Sequence, residues 1–308
     1  MMKKRRVTMK DVAEKAGVST ATVSYVLNYS NTERISHETR LKVFEAANEL
    51  NYIPNIEAKS LSGKKSYMVG VIINKKENCR KSKVYQYYDL ADEMRIILND
   101  MGYDMFLVSA EEIEQGAALG LRRALDAVFI VDMEEEIFRK LASQFYVPAI
   151  FIDGYVSDPL FCKILVNGEE LLDKAEEQLG KDFYVVMEDC FNNNLLKSVK
   201  KRIDDQNIFI HKKGNSLPEF LQTHRQQKGL VIGEILGMQA ESYVDNRNLC
   251  VVVQSDMDLM LLPDTKILVV SNKEKARKAI EVMRKLLRVD GKQEDPEPVH
   301  EIVYVDIH

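Results

Sequence analysis

The sequence has no tryptophan, four cysteines and five histidines among 308 residues, and no apolar run long enough to span a membrane. Cys79, Cys162, Cys190 and Cys250 are scattered without a Cys-x-x-Cys pair, which points to reduced thiols and against a disulfide framework or a structural zinc. With neither a membrane span nor the apolar N-terminal stretch of a secretory signal, the expected location is the cytoplasm. Catalytic signatures are missing too. There is no Gly-x-x-x-x-Gly-Lys phosphate loop, no Gly-x-Ser-x-Gly elbow and no His pair at metal-ligand spacing. His37, His211, His224, His300 and His308 stand far apart, mostly in polar surroundings, and are expected on the solvated surface. The runs Glu111-Glu112 and Glu134-Glu135-Glu136 read as solvated helix faces. No enzymatic activity, cofactor or metal is therefore expected, and low-complexity sequence is confined to the charged tail 292–297.

What is present is concentrated at the N-terminus. Residues 1–65 hold twelve Lys or Arg against seven Asp or Glu, about +5, while the remainder holds 31 against 41, about −10, giving the net −5. Within the basic end, Thr8 precedes an apolar-periodic run and Asp11 follows three residues on, so a helix is expected to begin near Met9. Gly17 suits its left-handed end and Ser19 offers an oxygen to start the next helix. Val12, Ala13 and Ala16 are spaced to meet Val23, Val26 and Leu27, which leaves Thr20, Ala21, Thr22 and Tyr25 facing outward. A third helix is signalled by Ser36 as cap, Glu38, and Leu41, Phe44, Ala47 and Leu50. Periodicity alone also fits any small three-helix unit. The turn and the charge asymmetry point instead to a helix-turn-helix whose partner is double-stranded DNA.

A hydrophobic content of 45% over this length implies a second, larger core. From Ser66 onward, short apolar runs alternate with helical patterns, the mark of a parallel α/β sheet. Strands are expected at 68–73, 105–108, 127–131, 149–152, 184–187, 230–232, 250–253, 267–270 and 302–305. Helices are expected at 87–101, 169–179, 195–205 and 273–287.

The dense run Thr8-Met9-Lys10-Asp11-Val12-Ala13, Ala16-Gly17-Val18-Ser19, Ala21-Thr22-Val23-Ser24, Val26-Leu27-Asn28, Thr39-Arg40 and Leu50-Asn51-Tyr52-Ile53-Pro54-Asn55 resembles the lactose-repressor family of bacterial transcription regulators. The likeness extends weakly through Val69-Gly70-Val71-Ile72-Ile73, Gly102-Tyr103-Asp104, Val147 to Asp153, and the spacing of Asn167, Ala175 and Leu179. The fold it implies is α/β: a three-helix helix-turn-helix plus hinge helix, then a two-lobed parallel α/β domain like the periplasmic binding proteins. The expected division is 1–53 for DNA binding, 54–66 for hinge helix and linker, and 67–308 for effector binding and dimerisation. The first lobe would take residues 67 to about 158 and return near 268 to 291.

That resemblance implies a repressor that binds a near-palindromic operator as a homodimer. Thr20, Ala21 and Tyr25 would read bases, with Tyr25 standing where Arg is common. Thr8, Ser19, Thr22, Ser24, Asn28 and Asn55 join the DNA-contact set, and Lys10, Ser30, Asn31, Arg34 and the arm Lys3 to Arg6 are phosphate contacts or solvated charge. In the run Ile56 to Leu61, Ala58 and Lys59 would lie on the DNA and Leu61 would wedge into the minor groove. So short a hinge helix would fold only when paired on DNA.

In the effector region the chain departs from the family. Leu195 stands where sugar- and purine-binding members usually have Arg, Gly233-Glu234 replaces an Asn-Asp pair, and Gly180-Lys181 shortens a Gly-His segment. Asp256 keeps the family's ligand-facing place and reads equally as an acceptor for sugar hydroxyls or as a turn residue. Asn74, Tyr87 with its neighbours Tyr85 and Tyr88, and Asp153 are further effector-binding candidates. Two readings stay open: a cleft that senses a sugar-like effector, and a cleft that has lost its metabolite so that a protein partner takes control.

Overall fold

The computed structural model describes residues 7–27, 35–50, 66–75, 80–114, 125–142, 145, 147–158, 161–189, 193–212, 214–255, 257, 259–287 and 302–308. Asn28, Asn55, Ala58, Lys59, Leu61 and Asp256 lie outside them, as does the whole expected hinge segment.

The head contains α1 (Met9–Ala16), α2 (Thr20–Leu27) and α3 (His37–Glu49). Each begins on a hydroxyl cap. Thr8 and Asp11 form a reciprocal capping box, in which the Thr8 N–H donates to Asp11 Oδ2 at 2.7 Å and the Asp11 N–H donates to Thr8 Oγ1 at 3.4 Å. Ser19 Oγ accepts the Thr22 N–H at 3.0 Å, and Ser36 Oγ accepts the Thr39 N–H at 3.2 Å. Gly17, at φ 66°, closes α1 in the left-handed conformation that only glycine adopts without cost. Val12, Ala13, Val23, Val26, Val43 and Ala46 are buried together, with Ala16 and Leu27 packed against them.

Two parallel sheets follow. The first lobe is built on β1 (Met68–Ile73), β2 (Asp104–Ser109), β3 (Ala127–Val131), β4 (Ala149–Ile152), β5 (Cys162–Val166) and, from the far end of the chain, a last strand Ile302–Val305. Its helices are α4 (Lys81–Asp100), α5 (Ala110–Glu114) and α6 (Glu135–Ala142). The second lobe holds α7 (Gly168–Leu179), β6 (Phe183–Glu188), α8 (Asn193–Arg202), β7 (Ile208–His211), α9 (Leu217–Thr223), β8 (Lys228–Ile232), α10 (Glu234–Ala240), β9 (Leu249–Val253) and β10 (Lys266–Val269). The chain then returns to the first lobe as α11 (Asn272–Leu287) and ends on β11, the strand Ile302–Val305. The sheet orders are β11-β5-β4-β3-β1-β2 and β10-β9-β8-β6-β7, and every pairing is parallel.

Both faces of these strands are covered, so their apolar runs are nearly continuous. On β1, Val69, Val71 and Ile73 face one core beside Phe129 and Met94, and Ile72 faces the opposite one beside Val128 and Phe151. The second lobe buries Val186, Val231 and Val251 against α9 and α10.

The expected lobe boundary shifts at both ends. Residues 162–166 pair into the first sheet rather than the second lobe, and 266–269 pair with β9 rather than returning. The return begins only after Val269, and a third crossing follows β11, where His308 and Val269 exchange backbone hydrogen bonds at 2.7 and 3.0 Å. Three crossings between lobes place the C-terminal ends of both sheets around a common cleft.

Candidate nucleic-acid interface and inter-lobe cleft

In the head, Ser19, Thr20 and Ala21 are exposed at the start of α2, while Thr22, Ser24 and Tyr25 are half-buried. The first turn of α2 contains no acidic residue. Ser19 caps the Thr22 N–H, and with no acid in that turn the positive end of the helix dipole favours an approaching phosphate. Thr8 is exposed, though its hydroxyl is committed to Asp11 at 2.6 Å. Some of the basic charge is spoken for. Lys15 pairs with Glu49, joining α1 to α3, and Lys42 pairs with Glu38 at 2.7 Å, whereas Lys10 is exposed.

The cleft between the lobes contains a cavity of about 110 Å³. Asp132 and Asp153 reach it from one residue beyond β3 and β4, both held at positive φ, 47° and 52°. Asp is among the few residues that tolerate this conformation, and such strain gathers at functional sites. Each carboxylate meets a lysine. Lys83 on α4 lies 2.7 Å from Asp132, which also accepts from the Tyr87 hydroxyl at 2.9 Å, and Lys275 on α11 donates to Asp153 at 2.6 Å. The opposite wall is mostly aliphatic, formed by Leu171, Met187, Leu195, Ile232 and Val252 of the second lobe, with Glu188 and Gln254 as its polar members.

Side chains of α4 reach the second lobe. The Ser82 hydroxyl on α4 donates to Glu188 at the end of β6, and the Gln86 amide lies 3.0 Å from where a Cβ on Gly233 would sit. Gly233 has φ 118°, so glycine there satisfies both the backbone and the approach of Gln86. His211 Nδ1 stands 3.5 Å from Glu188, and burial pushes its pKa down, assisted by repulsion from Arg80 and opposed by Glu188.

The structure brings Asp153 and Tyr87 to the cleft, Tyr87 through Asp132 and Asp153 directly. Asn74 is buried at the C-terminal end of β1, level with Asp132 in the next strand, and its Nδ2 has no hydrogen-bond partner among the described residues. Tyr85 and Tyr88 are exposed away from the cavity. Two histidines are not where the sequence suggested. His211 is largely buried beside Glu188, and His224 stacks on Phe220 with ring centroids 4.1 Å apart. Sequence reasoning missed Lys83, Asp132 and Lys275, because each pairs across a long stretch of chain and belongs to no local motif. Cys162 and Cys250 are buried thiols that form no disulfide among the described residues, and burial pushes the Cys250 thiol to about 11. Among the described residues no helix is long and apolar enough to cross a membrane.

Residues 8–55 match the family described as bacterial regulatory proteins, lacI family. The head of the chain is thus similar to that family. The sucrose operon repressor of Klebsiella pneumoniae is 27% identical over 194 residues, covering 59% of this chain and 56% of that protein. The HTH-type transcriptional repressor PurR of Vibrio campbellii is 30% identical over 169 residues, covering 53% and 48%. The chain thus spans about half the length of the curated relatives it matches. Among solved structures, the lac repressor dimer bound to operator and the anti-inducer ONPF aligns with 98% of both chains at a TM-score of 0.57 and 19% identity, a likeness of fold.

The departures from the lacI family now have places. Leu195 is buried in the cavity wall, so no guanidinium is supplied from α8. Glu234 turns away to accept the Met260 N–H at 2.7 Å, and it pins the segment after β9 rather than serving the cleft. Gly180, at φ 85°, caps α7 and leads straight into β6.

Proposed function

We propose that the protein is a DNA-binding transcription regulator, a repressor, that grips a near-palindromic operator as a homodimer and is modulated by a small molecule held between its lobes. The observation that carries this reading is the head. Two capped helices are fixed at a tight turn, the start of the second is exposed and free of acid, and the whole sits on the basic end of an acidic chain. Thr20 and Ala21 would then read base edges, Tyr25 would reach the groove from one turn further on, and Ser19 and Thr22 would hold phosphate. Leu61, flanked by Ala58 and Lys59, would wedge the minor groove at the centre of the site.

A homodimer is supported by apolar surface that a monomer would not keep exposed. Tyr85, Tyr88 and Ile96 form one face of α4, and Phe106 stands out from the edge strand β2. The cleft supports modulation because Ser82 and Gln86 of one lobe meet Glu188 and Gly233 of the other. Any ligand that favours the open or closed form would then change the separation of the two hinges. A second reading, control by a docked protein, is favoured by the exposed group Met257, Met260 and Leu262 after β9.

In vitro selection from a random duplex pool with the purified chain tests the proposal. A dimeric regulator enriches two symmetric half-sites, with affinity falling steeply as salt rises. Enrichment of no motif, or of a single unpaired half-site, would overturn it.

A further inference from the structure

We infer that the cleft is built for a small aliphatic α-amino acid. The inference rests on the reading of the cleft as an effector site and names the ligand class of that site. Size comes first. A cavity near 150 Å³ holds benzene, and ordinary small-molecule sites occupy about 300–1,000 Å³. The 110 Å³ present here suits a ligand of roughly six to eight heavy atoms, whereas a hexose carries about twelve.

Chemistry then selects within that size. Aromatic and Arg side chains are absent from the described lining, so the stacking platform and the planar fork that suit a sugar ring or a nucleobase are missing. Instead the first lobe carries two ion pairs, Lys83 with Asp132 and Lys275 with Asp153, each neutral as a pair, and the second lobe adds Glu188, which accepts from the Ser82 hydroxyl. A lone anion or a lone cation would unbalance whichever pair it met, while a zwitterion brings one charge of each sign to it. The Lys275–Asp153 pair is the reachable one, because the Asp153 side chain is 28% exposed against 7% for Lys275. An ammonium has three donors and a carboxylate about four acceptor sites, so each partner can bind the opposite charge of a ligand without leaving the other. The facing wall of Leu171, Met187, Leu195, Ile232 and Val252 offers a short hydrocarbon side chain the environment it prefers.

The test is a thermal-shift titration of the full chain with L-alanine and L-valine. Isobutylamine, which lacks the carboxylate, and isovalerate, which lacks the amine, run beside them, together with glucose, sucrose and hypoxanthine. The expected result is a saturable rise of several degrees with the amino acids and none with either half-molecule. The rise should vanish in Leu195→Phe, which fills the cavity, and in Lys275→Gln, which removes an ammonium. A saturable rise with a sugar or the purine, lost in Leu195→Phe, would overturn the amino-acid assignment and leave the effector site standing. An amino-acid response that survives both substitutions would refute the assignment to this cavity. Silence from every compound would overturn the effector reading itself.

Discussion

Asp153 and Lys275 allow a stability prediction whose order follows from geometry. Lys275 is 7% exposed and Asp153 28%, with 2.6 Å between Nζ and Oδ2. Removing one member of a buried pair costs about 3–5 kcal/mol because the other is left charged and unsolvated. Asp153→Ala strands the more buried partner, and it also places alanine at φ 52°, which adds about 1–2 kcal/mol. The expected loss is therefore about 4 kcal/mol. Asp153→Asn keeps an acceptor and a residue that tolerates positive φ, so it should lose about 2 kcal/mol. Lys275→Met strands the carboxylate that water can still reach, and should lose only about 1 kcal/mol. In the double variant Asp153→Asn/Lys275→Met the losses should fall short of additive by at least about 1 kcal/mol. Urea unfolding at neutral pH, followed by far-UV circular dichroism because the chain has no tryptophan, measures all four. Additive losses, or Lys275→Met costing more than Asp153→Ala, would refute the reasoning.

Three further outcomes follow from other parts of the molecule. Thr8→Ala removes the hydroxyl half of the capping box on α1, the Oγ1 that accepts the Asp11 N–H, and should destabilise the head by about 1 kcal/mol, lowering the first thermal transition while leaving that of the lobes in place. His211 holds its proton more weakly when folded than at its ordinary value of 6.5. The unfolded chain therefore binds more protons as pH falls, so stability present above 6.5 is lost on acidification through the lowered folded value. His211→Gln should flatten that part of the stability–pH curve, and an unchanged slope would count against the assignment. Leu61→Ala should weaken binding to a selected operator while leaving salt-dependent binding to random duplex nearly intact; equal loss of both would remove the hinge assignment.

The head was legible because its signals are local. Thr8 with Asp11, Gly17, Ser19 and Ser36 each act within three or four residues, and the structure places a cap or a left-handed turn at every one. The central strands were equally plain, since burial on both faces leaves an uninterrupted apolar run such as Ala127–Val131. Strand β5 escaped because Lys163 interrupts it. That lysine is buried and donates to the Asp158 carbonyl at 2.7 Å, a solution invisible to periodicity. Helix α4 begins at Lys81 rather than Tyr87, a start that no side-chain cap marks, and α9 is too short for its apolar spacing to repeat. Strand β7 is a four-residue edge strand ending in His211. The cleft was the least legible part. Its charge pairs join Lys83 to Asp132 and Asp153 to Lys275 across distances that only the folded sheet closes.

The central claim is that the exposed start of α2 reads DNA sequence. It is tested most directly by measuring the site preferences, in parallel selections, of the natural chain and of a variant carrying another family member's residues at Thr20 and Ala21. The account predicts that the variant enriches a different base at one or two symmetric positions in each half-site while spacing and salt dependence stay the same. An identical motif from both proteins would contradict it.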